Sequence, residues 1–449
     1  MANLNRNILK RVAQAEAEVF NARTAKSSTM LKRAAGSMIK GVPMPWMYGL
    51  YRHHSLYVTH GEGPRFYDID GNNYLDFNVV DLAVTMGFNN PHVQSAVAKG
   101  MERGTHFLLP IEEAVEVSEE LSRRTGVPVW QFTLSASGAN TEVIRISRAM
   151  TKRNKILVFE GHYHGHIDDT MFEKTDGEVH PYVLGLPPSA RQGLEIISFN
   201  DLQALEEKLK TNEIALVITE PALSNCTLVL PEPDYLESVQ ALCRRYGTLF
   251  CLDEAHNFSF AYGGLTREWG LRADFLVLGK GLGTGIPFGM YGMSRDVADY
   301  VEEHTQIDLG EPGIAAGGTT YANTLSILCA KAALERVLTP QNYAHTHALG
   351  LQLATGLRKI FAELDLDWTA LHLGPRVGYC MRPQPPKNGA QGYESIDIEF
   401  ISARKLFMAN RGIWDAMATA GPQVSFVHTM DDVTRYLGEA NQFMHQVCD

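Results

Sequence analysis

Cysteine is scarce and shows no pairing pattern. The six cysteines of this 449-residue chain (Cys226, Cys243, Cys251, Cys329, Cys380 and Cys448) are irregularly spaced and contain no C-x-x-C pair. Neither a disulfide framework nor a cysteine zinc site is suggested, and a reducing compartment fits best. Long hydrophobic runs are also absent. The opening MANLNRNILKRVAQAEAEVF is broken by Arg6, Lys10, Arg11 and Glu16, and no stretch approaches about 18 uninterrupted apolar residues. No signal peptide or membrane span is expected, which points to a cytoplasmic protein. Positive charge is in deficit: 40 Lys plus Arg against 51 Asp plus Glu leave a net charge of −11. No whole-chain field attracts phosphate backbones, which argues against nucleic acid as a partner. What is present is ordinary globular composition, 45% hydrophobic and 20% charged, without repeats or low-complexity segments. The length exceeds that of a typical domain about two- to threefold.

Texture changes along the chain. Residues 1 to about 35 mix charge with Ala, Leu and Val at helical spacing, which predicts an exposed N-terminal helix. Gly41 to Tyr51 reads as irregular, and its Trp46, Met47 and Tyr48 read equally well as core or as site. RFYDIDGNNYLDFNVV alternates apolar and polar positions around Asp70-Gly71, which predicts a small antiparallel sheet. Between about 130 and 290 the apolar runs KILVFE, IALVITE, TLFCLDE and DFLVLGK recur between amphipathic helices. That is the pattern of a buried parallel sheet with βαβ crossovers, hence α/β architecture. After about 335 helices return, with weak strands at RVGYCMRP and PQVSFVHT. The expected division is 1–85 as a helix and hairpin segment of a small lobe, 86–334 as a large domain, and 335–449 as a smaller α+β domain.

The ends of those four runs carry the chemistry. Ligands bind outside the carboxyl ends of parallel strands, and here those ends carry Gly161-His162-Tyr163-His164, Glu220, Asp253-Glu254 and Lys280. A lysine closing a buried strand ahead of GLGTGIPFG can be desolvated enough to form a Schiff base with a carbonyl. Asp253 at the neighbouring strand end would complement a positive ring nitrogen, as pyridoxal phosphate enzymes require. Taken singly, each is more often a solvated lysine or a helix-capping aspartate; together they are a mechanistic pair. FTLSASGANTEVIRISRAM places Ser135, Ala136, Ser137 and Gly138 before a helical run, where backbone N–H groups can hold a phosphate, although a plain capped helix start explains that turn as well. Thr319 in GGTTYAN could add a hydroxyl. The alternating His162, His164 and His166 only weakly suggest a metal, because Gly165 breaks a regular strand and no cysteine is near; no metal site is expected. GLGTG lacks the G-x-G-x-x-G spacing of a dinucleotide site.

These motifs resemble the class III (fold type I) pyridoxal-phosphate aminotransferases, especially the glutamate-1-semialdehyde aminomutase branch, from about Gly41 to the end. The resemblance implies a fold type I large domain with a mainly parallel seven-stranded sheet flanked by helices, and a smaller α+β domain. FEGHYHGHIDD resembles the strand and Tyr-His-Gly turn of that branch, which makes Tyr163 the aromatic stacked on the cofactor ring, with His164 beside it. TEPALSN resembles the Glu-Pro motif and implies Glu220 and Asn225 near the substrate side. LDEAHNF resembles the Asp-Glu-Val motif, giving Asp253 to the ring nitrogen, Ala255 to ring packing and His256 to the phenolic oxygen. VLGKGLGTGIPFGMYG is similar to the lysine motif and makes Lys280 the residue of the internal aldimine. GGTTYANTL resembles the segment whose threonine, here Thr319, reaches the phosphate across a homodimer interface.

The departures bear on substrate. Ser135-Ala136-Ser137-Gly138 stands where the family reads Ser-Gly-Thr-Glu, so the usual Glu is missing. Ala255 replaces Val and leaves more room at the ring. Trp46 stands where several relatives carry a carboxylate-binding Arg, which an indole cannot replace; another cation such as Arg52 would have to serve, or the substrate's recognised end is apolar, aromatic or cationic. Asp81 could face the substrate and pair with a positive group. The leading reading is therefore an aminotransferase acting on a small-molecule amino acid or amine with a keto-acid acceptor. An aminomutase, epimerase or ammonia-lyase needs the same lysine and aspartate and is the alternative. A catalytically silent binding scaffold is disfavoured by retention of both residues.

Overall fold

The computed structural model describes residues 4–448 apart from 51–52, 176, 307–309, 311, 418 and 420, and without the side chain of Leu50. These residues form two compact units, one of 91–343 with 386–392 and the other of 1–90, 344–385 and 393–449. Among them no helix is long and apolar enough to cross a membrane.

The larger unit is built on seven strands: β1 (Val129–Thr133), β2 (Lys155–Phe159), β3 (Leu194–Ile197), β4 (Ile214–Thr219), β5 (Leu249–Asp253), β6 (Phe275–Leu278) and β7 (Gly289–Met293). Their order is β1-β7-β6-β5-β4-β2-β3. Only β7 opposes its neighbours β6 and β1, whereas β6, β5, β4, β2 and β3 pair in parallel. The fold type I expectation is met in this sheet. Every residue of β4 is buried, as expected of a central strand covered on both faces. Helix α1 (Ala136–Thr151) lays Ala139, Val143 and Ile146 against Ile156, Leu216, Cys251 and Val277 of the sheet. Each fully buried Val, Leu or Ile contributes about 1.5–3 kcal/mol. The parallel arrangement sets the carboxyl ends of β1, β2, β4, β5 and β6 along one edge.

The smaller unit corrects several local expectations. The N-terminal helix is two helices, Arg6–Arg23 and Ala25–Ala34, broken at Thr24, whose hydroxyl bonds the Phe20 carbonyl at 2.6 Å. It is not simply exposed: Leu9 and Phe20 are each 1% accessible, because segments far along the chain cover them, Leu9 joining a core with Phe400 and Phe407. The stretch expected to be irregular contains the helix Pro45–Leu50, on which Trp46 is 59% and Tyr48 43% exposed, so neither is core. The hairpin forms as predicted, Arg65–Asp68 against Asn73–Asp76, with Gly71 at φ +90° in the turn. Asp70 does more than turn the chain, since its carboxylate accepts from the N–H groups of Lys26 at 2.6 Å and Ser27 at 2.9 Å and so caps the second helix. RVGYC is a strand paired with Thr369–Leu373. PQVSFVHT is not, making among the described residues only the isolated bridge Arg376↔Gln423.

After the hairpin, Val79, Val80, Asp81 and Leu82 have φ of +50°, +47°, +52° and +66°. Four consecutive non-glycine residues in the left-handed region carry a cost of about 1–2 kcal/mol each. Asp76 offsets part of it, its carboxyl accepting from Asn78 N at 2.8 Å and Val79 N at 3.1 Å. Burial pushes that carboxyl up to about 7. A carboxyl raised in the folded state stabilises the fold below its unfolded value near about 4, and the contribution is lost as pH climbs toward the folded value. Asp76→Asn keeps an acceptor but cannot ionise. Urea unfolding at about pH 5 and about pH 8 should show a smaller loss of stability with rising pH in the variant than in the native chain; an identical slope would show that Asp76 is ionised throughout.

Candidate active site

At the strand-end edge the centre is Asp253, 2% accessible at the last position of β5. Its Oδ2 accepts from Asn140 Nδ2 at 2.8 Å and from His164 Nδ1 at 2.9 Å, and its Oδ1 accepts from Ala255 N at 3.0 Å. Burial works to raise this carboxyl, but the hydrogen bond and charge of His164, then Asn140 and the Ala255 N–H, hold it below its usual value. Asn140 also donates to the His164 carbonyl at 2.9 Å. One carboxylate thus joins β5, α1 and the loop after β2.

The adjacent Glu254 has the opposite character. It accepts from the N–H groups of Leu265 at 2.8 Å and Thr266 at 2.6 Å, and burial pushes it up to about 7. It holds the chain behind the site, while Asp253 holds the site itself.

Lys280 follows β6 by two residues and is half-buried, with φ +39°. Its Nζ stands 5.9 Å from the centroid of the Tyr163 ring, itself 40% exposed. A non-glycine residue held at positive φ stores strain that the surroundings must impose. Here Gly279 packs against Ala136: a Cβ added to Gly279 would lie 3.1 Å from that of Ala136. Ser135 caps α1, its Oγ accepting from Gly138 N at 3.1 Å, which leaves the first-turn N–H groups of Ala136 and Ser137 facing outward from the helix start. Ser137 Oγ accepts from His166 N at 3.1 Å, an approach possible because position 165 is glycine: at φ +96° a Cβ there would lie 2.2 Å from that oxygen.

Two histidines of the tract, His162 and His164, are engaged by neighbouring groups, while His166 is exposed. His162 has its two ring nitrogens 2.9 Å from the carbonyls of Phe159 and Thr170, and burial lowers it to about 4, so the neutral ring donates to one of them. His164 serves Asp253. A second polar group stands beside them at the end of β4, where Ser224 joins the Glu220 carboxylate and His256. Asn225 Nδ2 and Glu220 Oε1 are buried without a partner among the described residues.

Thr319 lies on an exposed segment, its carbonyl accepting from His106 Nε2 at 2.6 Å. That segment rests on α1 through Arg145, which bonds the Ala315 carbonyl at 3.4 Å. Trp46 and Asp81 belong to the smaller unit, and Arg52 lies outside the described residues. The motifs did not single out Asn140 or Ser224. An asparagine inside a helix is a poor helix former, and that was the available signal for Asn140.

Removing one donor from a buried carboxylate costs about 1–3 kcal/mol. Asn140→Ala should lose that much in urea unfolding of the cofactor-free chain, and a loss under about 0.5 kcal/mol would show that the amide does not support Asp253.

Among known proteins, glutamate-1-semialdehyde 2,1-aminomutase 1 of Staphylococcus epidermidis is 29% identical over 392 residues, covering 85% of this chain and 89% of that protein. A glutamate-1-semialdehyde aminomutase from Pseudomonas aeruginosa, solved as a lysine-to-alanine variant in complex with PMP, superposes with TM-score 0.94 at 29% identity over 99% of both chains. An omega-transaminase from Sphaerobacter thermophilus superposes at 0.85 with 25% identity, covering 94% of this chain and 97% of its own. The sequence profile of the class-III aminotransferases matches residues 49–366, and the chain belongs to that family.

Proposed function

We propose that the protein is a pyridoxal 5′-phosphate enzyme that transfers the amino group of an amino acid or amine to a keto-acid acceptor. The observation that carries this reading is Lys280 and Asp253 at the ends of the adjacent parallel strands β6 and β5. The residues fit the cofactor. The start of α1 offers N–H groups to a phosphate, and the buried Asn225 Nδ2 and Glu220 Oε1, unpartnered among the described residues, call for a polar ligand.

Bound there, the cofactor supplies an aldehyde for amine capture and a ring that accepts the electron pair left behind at the substrate carbon. Asp253, ionised, holds the proton on the ring nitrogen. The Lys280 amine would hold the aldehyde and, when free, would carry a proton between the substrate carbon and the former aldehyde carbon. Tyr163 and Ala255 confine the ring, His256 serves the phenolic oxygen, and Ser135 and Ser137 orient the phosphate with backbone help. That Trp46 stands in the sequence where several relatives carry a carboxylate-binding Arg supports an amine whose recognised end is apolar, aromatic or cationic over glutamate-1-semialdehyde. A second reading, an aminomutase, is favoured by the aminomutase relatives.

A homodimer is part of this proposal. Phe107, Leu108 and Leu109 are 47%, 68% and 73% exposed and adjoin the Thr319 segment through His106. Such a run is a face for a second copy, whose Thr319 would complete the phosphate site.

Borohydride reduction and peptide mapping should place a pyridoxyl group on Lys280, and a label elsewhere would refute the assignment. Turnover in an amine screen should require a keto acid; steady turnover without one would identify a mutase or lyase. Leu109→Asp should give monomers in sedimentation and weaken cofactor binding, whereas a native chain that is monomeric with full cofactor affinity would refute the dimer.

A further inference from the structure

The hydroxyl of Ser224 stands between two groups the motifs name, and its single proton sets the state of both. Ser224 is fully buried, Glu220 is 2% and His256 1% accessible. Ser224 Oγ makes a short hydrogen bond to Glu220 Oε2 and lies 2.9 Å from His256 Nδ1, which is itself 3.4 Å from the same carboxylate oxygen. A hydroxyl donates once and accepts at its lone pairs. If Ser224 gives its proton to the Glu220 carboxylate, its oxygen must accept from His256, and Nδ1 carries a proton. The converse chain, with Ser224 donating to Nδ1, would require a protonated Glu220 and move the imidazole proton to Nε2. A hydroxyl that donates to a carboxylate makes a charge-assisted bond, the stronger kind. Glu220 Oε2 then accepts from the Ser224 hydroxyl, which lowers the cost of burying it.

We infer that Ser224 is a positioning residue that fixes a proton on Nδ1 of His256 through the Glu220 carboxylate. This rests on the pyridoxal phosphate reading for its purpose. With Nδ1 committed, the orientation of the imidazole is set by Ser224 and Glu220, and with it the edge that the ring would turn to the phenolic oxygen. Ser224 touches neither substrate nor cofactor in this account; it acts through His256.

The test is ¹⁵N NMR of histidine-labelled full-length protein, first without cofactor, with the His256 signal assigned by its loss in His256→Gln. The native chain should show a protonated, slowly exchanging Nδ1 on His256. Ser224→Ala should speed exchange of that proton by about tenfold or more, and Ser224→Thr, which keeps the hydroxyl, should restore slow exchange. In cofactor-loaded protein, Ser224→Ala should shift the cofactor absorbance maximum and Ser224→Thr should leave it in place. An unprotonated Nδ1 in the native chain would overturn the proposal, as would unchanged exchange in Ser224→Ala. The tautomer of the native chain decides the matter even where a variant fails to fold. Borohydride labelling of Lys280 is unaffected by either outcome, which separates failure here from failure of the cofactor reading.

Discussion

A buried carboxylate is costly unless every lone pair that matters is met, and Asp253 is met from three directions. Asn140 comes from α1, His164 from the loop after β2, and the N–H of Ala255 from its own strand end. Because these donors come from separate stretches of chain, the carboxylate stays ionised only when α1, the β2 loop and β5 are all in place. Folding of the large unit and readiness of the site are therefore one condition. The same clamp holds the loop that carries Tyr163 to α1, through Asn140 and His164.

The neighbouring acids show how burial sorts identical groups. Asp253 is surrounded by donors from side chains and falls below its usual value. Glu254, one residue on, is met by backbone N–H groups and is pushed up to about 7. Asp76, in the other unit, behaves like Glu254 while capping a left-handed turn of four non-glycine residues. Identity of side chain does not separate these roles; the supply of donors against the cost of desolvation does.

The family fixes the cofactor machinery more firmly than the substrate. The Lys280 and Asp253 strand ends, the cap at Ser135 and the glycine at 165 are all constraints of backbone approach and of charge, which tolerate little change. A chain 29% identical to aminomutases retains nearly all of their fold, at TM-score 0.94.

The sequence by itself determined the buried strands β2, β4, β5 and β6, because their unbroken apolar runs have no other stable place than a covered parallel sheet. It also determined which residues stand at their carboxyl ends, because strand direction follows from chain direction once the sheet is parallel. Gly71 and the alternation around it marked the hairpin, a local signal that needs no distant partner. Only the tertiary structure decided the rest. The burial of Leu9 and Phe20 depends on elements near the other end of the chain, the strand-like PQVSFVHT meets the Arg376–Cys380 strand at the single bridge Arg376↔Gln423, and Asn140 meets Asp253 across 113 positions of sequence. Periodicity reports which face of an element is apolar, not what will cover it, and a hydrogen bond between distant residues leaves no local pattern.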